Sequence, residues 1–440
     1  MHYDHPNSKV EFDVFGRAMH DFMRELYPIY RSITGEGVRE TLRTIQKRIP
    51  LNVHEVPSGT KVFDWTVPLE WNVSDAHITD RAGTRVVDFK THNLHVVSYS
   101  IPIRKKMHLD DLKPHLFTLP DHPDWIPYRT SYYKENWGFC LRHADLEKLS
   151  VGEYDVVIDS SLRPGSLTYG ESYLPGEIPD EILISCHVCH PSLCNDNLSG
   201  IAVAVMLAET LASRPRRYSY RFLFIPATIG SITWLARNEH MVSRIKHGLV
   251  LTGVGDGGNI TYKRSRHGQA EIDRAMLHVL EHVGALYSVR DFSPYGYDER
   301  QYCSPGFNLP VGCLMRTPHG EYPEYHSSAD DLDFVKPASL GESYQVCLSA
   351  IEVLEHNRRY LNQNPKGEPQ LGRRGLYRTI AGQQEKQNKE LALLWVLNLS
   401  DGRHSLLDIA TRAGLSFDDV ESAARSLLDC GLLSEARQGT

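Results

Sequence analysis

The chain has 440 residues, 41% of them hydrophobic, and 48 Lys+Arg against 55 Asp+Glu give a formal net charge of −7. That length implies two or three domains, and that charge excludes the basic footprint of a nucleic-acid binder. No apolar run reaches the ~18–20 residues of a membrane span, the N-terminal residues lack the basic and apolar regions of a secretory signal, and eight cysteines without compact spacing suit free thiols in a reducing, cytoplasmic setting.

Phe12, Phe15, Met19, Phe22, Met23 and Leu26 recur at helical spacing. Ser32–Gly37 supplies a turn, and Val38, Leu42 and Ile45 restart the period, so residues 11–49 read as two helices. From 51 to 149 the texture is β-rich: short alternating runs such as Val86–Phe89 and Leu94–Val97 lie among many prolines. From 150 to 360 the pattern is α/β. Strands are expected at Tyr154–Ile158, Glu181–Ser185, Tyr220–Ile225, Gly248–Thr252 and Val311–Met315, with helices at 198–213, 231–244, 270–284 and 338–356. Residues 365–369 read as a linker to a last domain, 366–440, made of short helices.

The segment Ile184–Gly200 carries chemistry. A buried-type strand runs into His187 and His190, and a proline-containing loop then delivers Asn195-Asp196-Asn197. In open α/β sheets ligands bind beyond the carboxyl ends of the strands, and imidazole with carboxylate is a donor set for catalytic zinc. A structural knot through Cys186, Cys189 and Cys194 would need a second distant cysteine pair, which the sequence lacks. A second strand end delivers Tyr325-His326 and then Asp330-Asp331, the pattern of a metal ligand followed by a carboxylate that supports the site. Gly255–Gly258 has no following Lys-Ser/Thr and reads as a turn rather than a phosphate loop.

Asp196-Asn197 before Ser199-Gly200, followed by Tyr325-His326 and Asp330, resembles zinc aminopeptidases of the co-catalytic exopeptidase superfamily. The sequence is more closely similar to bacterial aminopeptidase-like proteins with a β-domain inserted after the N-terminal helices and a winged-helix tail. Phe63–Trp71, Ile126–Tyr133, Trp137–Cys140 and Cys189–Leu193 carry that likeness. The resemblance implies an α/β zinc-exopeptidase-like mixed sheet flanked by helices and made from residues 1–50 and 150–360. It also implies an inserted β-rich domain at 51–149, a winged-helix-like domain at 366–440, and a zinc cofactor.

Carried over residue by residue, the resemblance makes His187 or His190 a ligand, Asp196 the bridging carboxylate and His326 the last histidine ligand. Cys189 replaces the aspartate that orients the first histidine in the wider pattern. Where that pattern has two glutamates, a general base and a ligand, this chain reads Pro226-Ala227-Thr228-Ile229-Gly230-Ser231, while the closer group resembles Pro-Glu-Thr-Ile-Gly-Ser. Ala227 therefore stands at the base position, either as a natural variant or as a glutamate-to-alanine knock-out. Thr252 or Gly253 occupies the last aspartate position, with Asp256 a few residues on, so one zinc is favoured over two. Asp298 and Glu299 are candidates to bind a substrate ammonium and Arg300 a carboxylate. Tyr325 and Glu321 are candidates for acid/base or oxyanion duty.

His404–Asp429 resembles a helix-turn-helix, but Asp418, Asp419 and Glu421 open its second helix, and residues 401–440 hold seven acidic and four basic side chains. DNA binding would oppose that charge. The expected activity is amide hydrolysis of a small peptide or aminoacylated small molecule, with no nucleic-acid or membrane partner and with self-association open. The rival readings are a ligand-sensing regulator and a zinc deacylase of a biosynthetic intermediate.

Overall fold

In the computed structural model, which describes residues 9–376 and 383–436, the apolar runs pair at the centre of an eight-stranded mixed sheet. Ser219–Ile225, Glu181–His187, Ile245–Leu251 and Val311–Met315 lie side by side and parallel. Three of the four are buried along their whole length, as a parallel sheet covered on both faces requires. Asn52–Pro57 and Ser166–Leu174 extend one edge antiparallel, and Ile260–Lys263 with Tyr287–Arg290 completes the other.

The helix Gly200–Ala212, nearly all buried, packs on the Glu181–His187 strand and against the helix Lys9–Leu26. Its first residue must be glycine. A Cβ on Gly200 would stand 2.5 Å from the Leu251 carbonyl oxygen and from the Asn197 side chain, so any other residue would push the helix off the strand ends that it helps to organise.

A separate four-stranded antiparallel sheet runs in the order Arg85–Asp88, Glu70–Thr79, Glu153–Arg163, Ile103–His108. Tyr154, Val156 and Ile158 alternate inward on its long strand. The boundaries differ from those read off the sequence. Asn52–Pro57 pairs with Ser166–Leu174 in the large sheet, while Glu153–Arg163 belongs to the small one, so the insertion lies between them at about 58–163 rather than 51–149. Leu94–Val97 is not a strand, because His92 Nδ1 accepts the Leu94 N–H at 3.1 Å and turns the chain into a short 3₁₀ helix at Asn93–His95.

Arg39, on the helix Glu36–Gln46, ties the two sheets together. It donates to Glu55 at 2.9 Å and to Glu70 at 2.6 and 2.9 Å. The Arg39 guanidinium holds the Glu70 carboxyl down at about 2, so this contribution is present above the ordinary glutamate value and is lost as pH falls through about 2. Glu70→Gln should cost about 1–2 kcal/mol at pH 7, with the difference closing toward pH 2. Urea melts at both pH values check this, and an equal loss at the two would contradict it.

The chain divides into two units; all the elements above belong to the first, and the second comprises Glu271–Gly284 and the chain from Val346 onward. In the second unit, Arg359–Asn362 pairs antiparallel with Asp401–Ser405 and Leu433–Glu435. Around this small sheet stand the helices Gln383–Leu399, Leu406–Ala413 and Phe417–Asp429. Ser405 and Asp408 form a reciprocal capping box on the second helix, and Ser416 caps the third, whose first turn carries Asp418 and Asp419. Among the described residues, no helix is long and apolar enough to cross a membrane, and all eight cysteines are free thiols.

Candidate metal centre

The parallel strands end together, and the chemistry-bearing residues sit at those ends. His187 closes the Glu181–His187 strand, Ala227 follows Ser219–Ile225, Thr252 follows Ile245–Leu251, and the loop bearing His326 follows Val311–Met315. Three imidazoles converge on one carboxylate. His187 Nε2 lies 2.8 Å from Asp196 Oδ1, and His326 Nε2 lies 3.0 Å and His190 Nε2 3.9 Å from Asp196 Oδ2. Ligand-type atoms of His187, His190 and Asp196 all fall within 4.8 Å of one another. Both histidines of the first segment are thus brought to the same carboxylate.

Three polar side chains of the Asn-Asp-Asn-Leu-Ser-Gly loop hold backbone groups at the adjoining strand end and helix start. Asn195 accepts the Gly255 and Asp256 N–H groups, Asn197 Oδ1 accepts those of Gly200 and Gly253, and Ser199 Oγ accepts that of Val254. The buried Asp330 accepts the N–H groups of Asn195 at 2.6 Å and Asp196 at 3.0 Å, so this carboxylate supports the loop instead of facing a ligand. Buried Arg31, from the turn between the first two helices, donates to the His190 carbonyl at 2.9 Å. Asp256 is consumed by Asn195, Thr317 and Gly258 and offers no ligand.

Electrostatics prepare a donor set. Burial would raise the Asp196 carboxyl, but His190 nearby and the hydrogen bonds to His187 and His326 hold it well below the ordinary carboxylate range. Burial pushes His190 down to about 3, which keeps it neutral with a free lone pair. A buried carboxylate held in its ionised form beside imidazole nitrogens is a donor set that a divalent zinc ion can use, and the residues present fit such an ion.

Aromatic rings wall the centre. Tyr297 stacks on His187 with centroids 4.6 Å apart, Tyr325 stacks on His326 at 3.9 Å, and Tyr128 meets His190 and His326 edge-on at 5.2 and 5.1 Å. Tyr128 comes from the insertion, where its N–H donates to the His326 carbonyl at 2.8 Å and Pro127 bridges to Ser327. His326 itself is held at φ 56°, in the left-handed region that is uncommon for a residue with a Cβ. Spacing does not reveal the ring-to-ring roles of Tyr128 and Tyr297, and the aromatic run Ile126–Tyr133 is a visible sign for Tyr128 alone.

A cleft of about 350 Å³ opens on His190 and His326 and is also lined by Ala227, Thr228, Tyr297 and Arg300. The sequence reading fails for three of its candidates. Asp298 is fully buried and accepts the Ser231 hydroxyl at 2.7 Å, and burial raises its carboxyl to about 6. Glu299, also buried, forms an ion pair with Lys263 at 2.8 Å. Neither lines the cleft, because both side chains are buried against partners distant in sequence. Glu321 is half-exposed and bound to Arg290, so it takes no part in the centre. Tyr325 does reach it, with its hydroxyl 2.8 Å from that of Tyr297.

The large sheet and its strand-end site define an aminopeptidase-like α/β domain. The same fold occurs in BSAP, a zinc aminopeptidase from Bacillus subtilis (TM-score 0.57, 12% identity, 77% of this chain and 94% of that one). It occurs also in the aminopeptidase from Aneurinibacillus sp. strain AM-1 (TM-score 0.52, 12% identity, 79% and 96%). At these identities the likeness is one of fold. The chain belongs to the family described as "Domain of unknown function (DUF4910)", which matches residues 20–357, and residues 358–435 match a winged helix-turn-helix family. A Clostridium acetobutylicum protein named "Putative polysaccharide biosynthesis protein with aminopeptidase-like domain" is 54% identical over 418 residues, 95% of this chain and 96% of its own length. A crystal structure of a "putative peptidase" from the same organism superposes with a TM-score of 0.93 at 52% identity over 97% of this chain and 98% of that one.

Proposed function

We propose that the protein is a zinc-dependent amide hydrolase acting in the cytoplasm on a small peptide or aminoacylated small molecule, weakened by the alanine at position 227. The observation that carries this reading is the convergence of three imidazoles on Asp196 at the ends of the parallel strands. Asp196 and His326, with His187 or His190, would hold the ion. Such an ion supplies polarisation of a carbonyl and a lowered pKa for water.

The chain's own residues account for the rest. Asp330 and Arg31 fix the loop backbones, so the ligands need little reorganisation. Tyr297 and Tyr325 keep their phenolic protons at neutral pH because burial raises both, and their hydroxyl pair can donate to an oxygen that gains negative charge. Ala227 presents a methyl group to the cleft, and a methyl cannot take a proton from attacking water. A second reading, N-deacylation of an amino-sugar intermediate, uses the same donor set and is favoured by the polysaccharide-biosynthesis name of the clostridial relative. The acidic first turn of Phe417–Asp429 argues against a DNA-binding regulator.

Titration of the metal-free protein with zinc should give one tight equivalent, with chelation abolishing any amide hydrolysis. A free-amine against an N-blocked amide panel separates the two readings. A protein that takes up no zinc by calorimetry sinks both.

A further inference from the structure

The wall of the cleft says what kind of amide it accepts. A free α-ammonium needs a carboxylate counter-charge, and none of the described side chains lining the cleft is acidic. Of the two carboxylates nearest in sequence, Glu299 is paired with Lys263, and Asp298 is buried outside the cleft lining, with one oxygen on the Ser231 hydroxyl and the other without a hydrogen-bond partner. The one cation in the wall is the opposite case. Arg300 is half-buried, has no ion-pair partner among the described residues, and its Nε is buried without a hydrogen-bond acceptor. Asp298 acts on this half-buried guanidinium electrostatically but makes no ion pair with it, so the guanidinium's N–H donors stay available to an anion in the cleft, and its planar fork fits carboxylate or phosphate oxygens.

At the mouth, Trp65 and Tyr133, 44% and 58% exposed, contact each other at 5.4 Å between centroids with their planes inclined by 59°, and offer an angled apolar surface in the same cleft as the charge. This pairing suits a substrate with a ring or an extended apolar surface next to its anionic group.

We infer that the cleft selects an amide bearing an anionic group, held by Arg300, over one bearing a free amine. This inference rests on the proposed hydrolase reading and deepens it by naming the substrate class. Arg300 is a specificity residue here, and the reacting amide lies toward His190 and His326 in the same cleft.

The test is calorimetry on the full-length zinc-loaded protein with N-acetyl-alanine (anionic), N-acetyl-alaninamide (neutral), alaninamide (cationic) and N-acetylglucosamine 1-phosphate (anionic, with a ring). The anionic probes should bind at least tenfold more tightly than the neutral and cationic ones. The two anions together show whether carboxylate or phosphate is preferred. Arg300→Gln should erase that preference and Arg300→Lys restore part of it, with folding of each variant checked by circular dichroism and zinc content measured separately. Equal or tighter binding of alaninamide, an anion preference that survives Arg300→Gln, or no binding of either anion overturns the inference. A protein that loads zinc but shows no anion preference defeats this inference alone. One that prefers anions through Arg300 yet takes up no zinc defeats the hydrolase reading alone.

Discussion

Replacing Ala227 by glutamate should raise hydrolysis of small amides by about 10²–10⁴-fold, the range that a positioned general base contributes. Ala227 lines the same cleft as His190 and His326, and no acidic side chain among the described residues shares that wall. The local backbone is already pinned, since the Ala227 N–H donates to Cys189 Sγ at 3.3 Å, so the longer side chain would enter open cleft space without having to order a loop. Ala227→Gln serves as the control because it has nearly the same size and hydrogen-bonding reach but no basic oxygen. Initial rates on free-amine, N-blocked and anionic amides measure the effect. An equal gain in the glutamine variant, or none in the glutamate variant on any of them, would remove position 227 from the mechanism.

The second large effect is expected at Asp196. Its two oxygens face all three imidazoles, so Asp196→Asn removes the negative charge on which they converge. Groups that merely orient a metal ligand are worth roughly 10–100-fold in affinity, and loss of the central ligand should cost more than about 100-fold. His187→Ala and His190→Ala, made separately, should then divide: the true ligand loses affinity on the scale of Asp196→Asn, and the other histidine loses much less. Zinc affinity by chelator competition decides it. A wild-type affinity in the Asp196→Asn protein would show that any ion sits elsewhere.

The parts of the site that were legible in the sequence are those fixed locally. His187 closes a strand-forming run, His326 lies in the loop that follows another, and Asp196 lies in a loop whose Asn, Ser and Gly neighbours each have a backbone task within a few residues or at the adjoining strand end. The parallel strands declared themselves as apolar runs because both faces are covered. Asp298 and Glu299 misled for the opposite reason. A charged pair in a loop looks solvated or substrate-facing until Ser231 and Lys263 arrive from elsewhere in the chain, and nothing in the local sequence announces them. The same holds for the edge strand Asn52–Pro57, which has a single buried residue and owes its place to pairing with Ser166–Leu174 rather than to its own pattern.

Holding His326 at φ 56° works against its own backbone preference by an amount on the order of 1 kcal/mol, and part of the clamp that opposes relaxation is lent by Pro127 and Tyr128. The inserted β-domain is therefore no ornament: trimming it away would take the brace from one of the three imidazoles that meet at Asp196. A shortened chain would have to supply that brace from elsewhere before the rings could gather again.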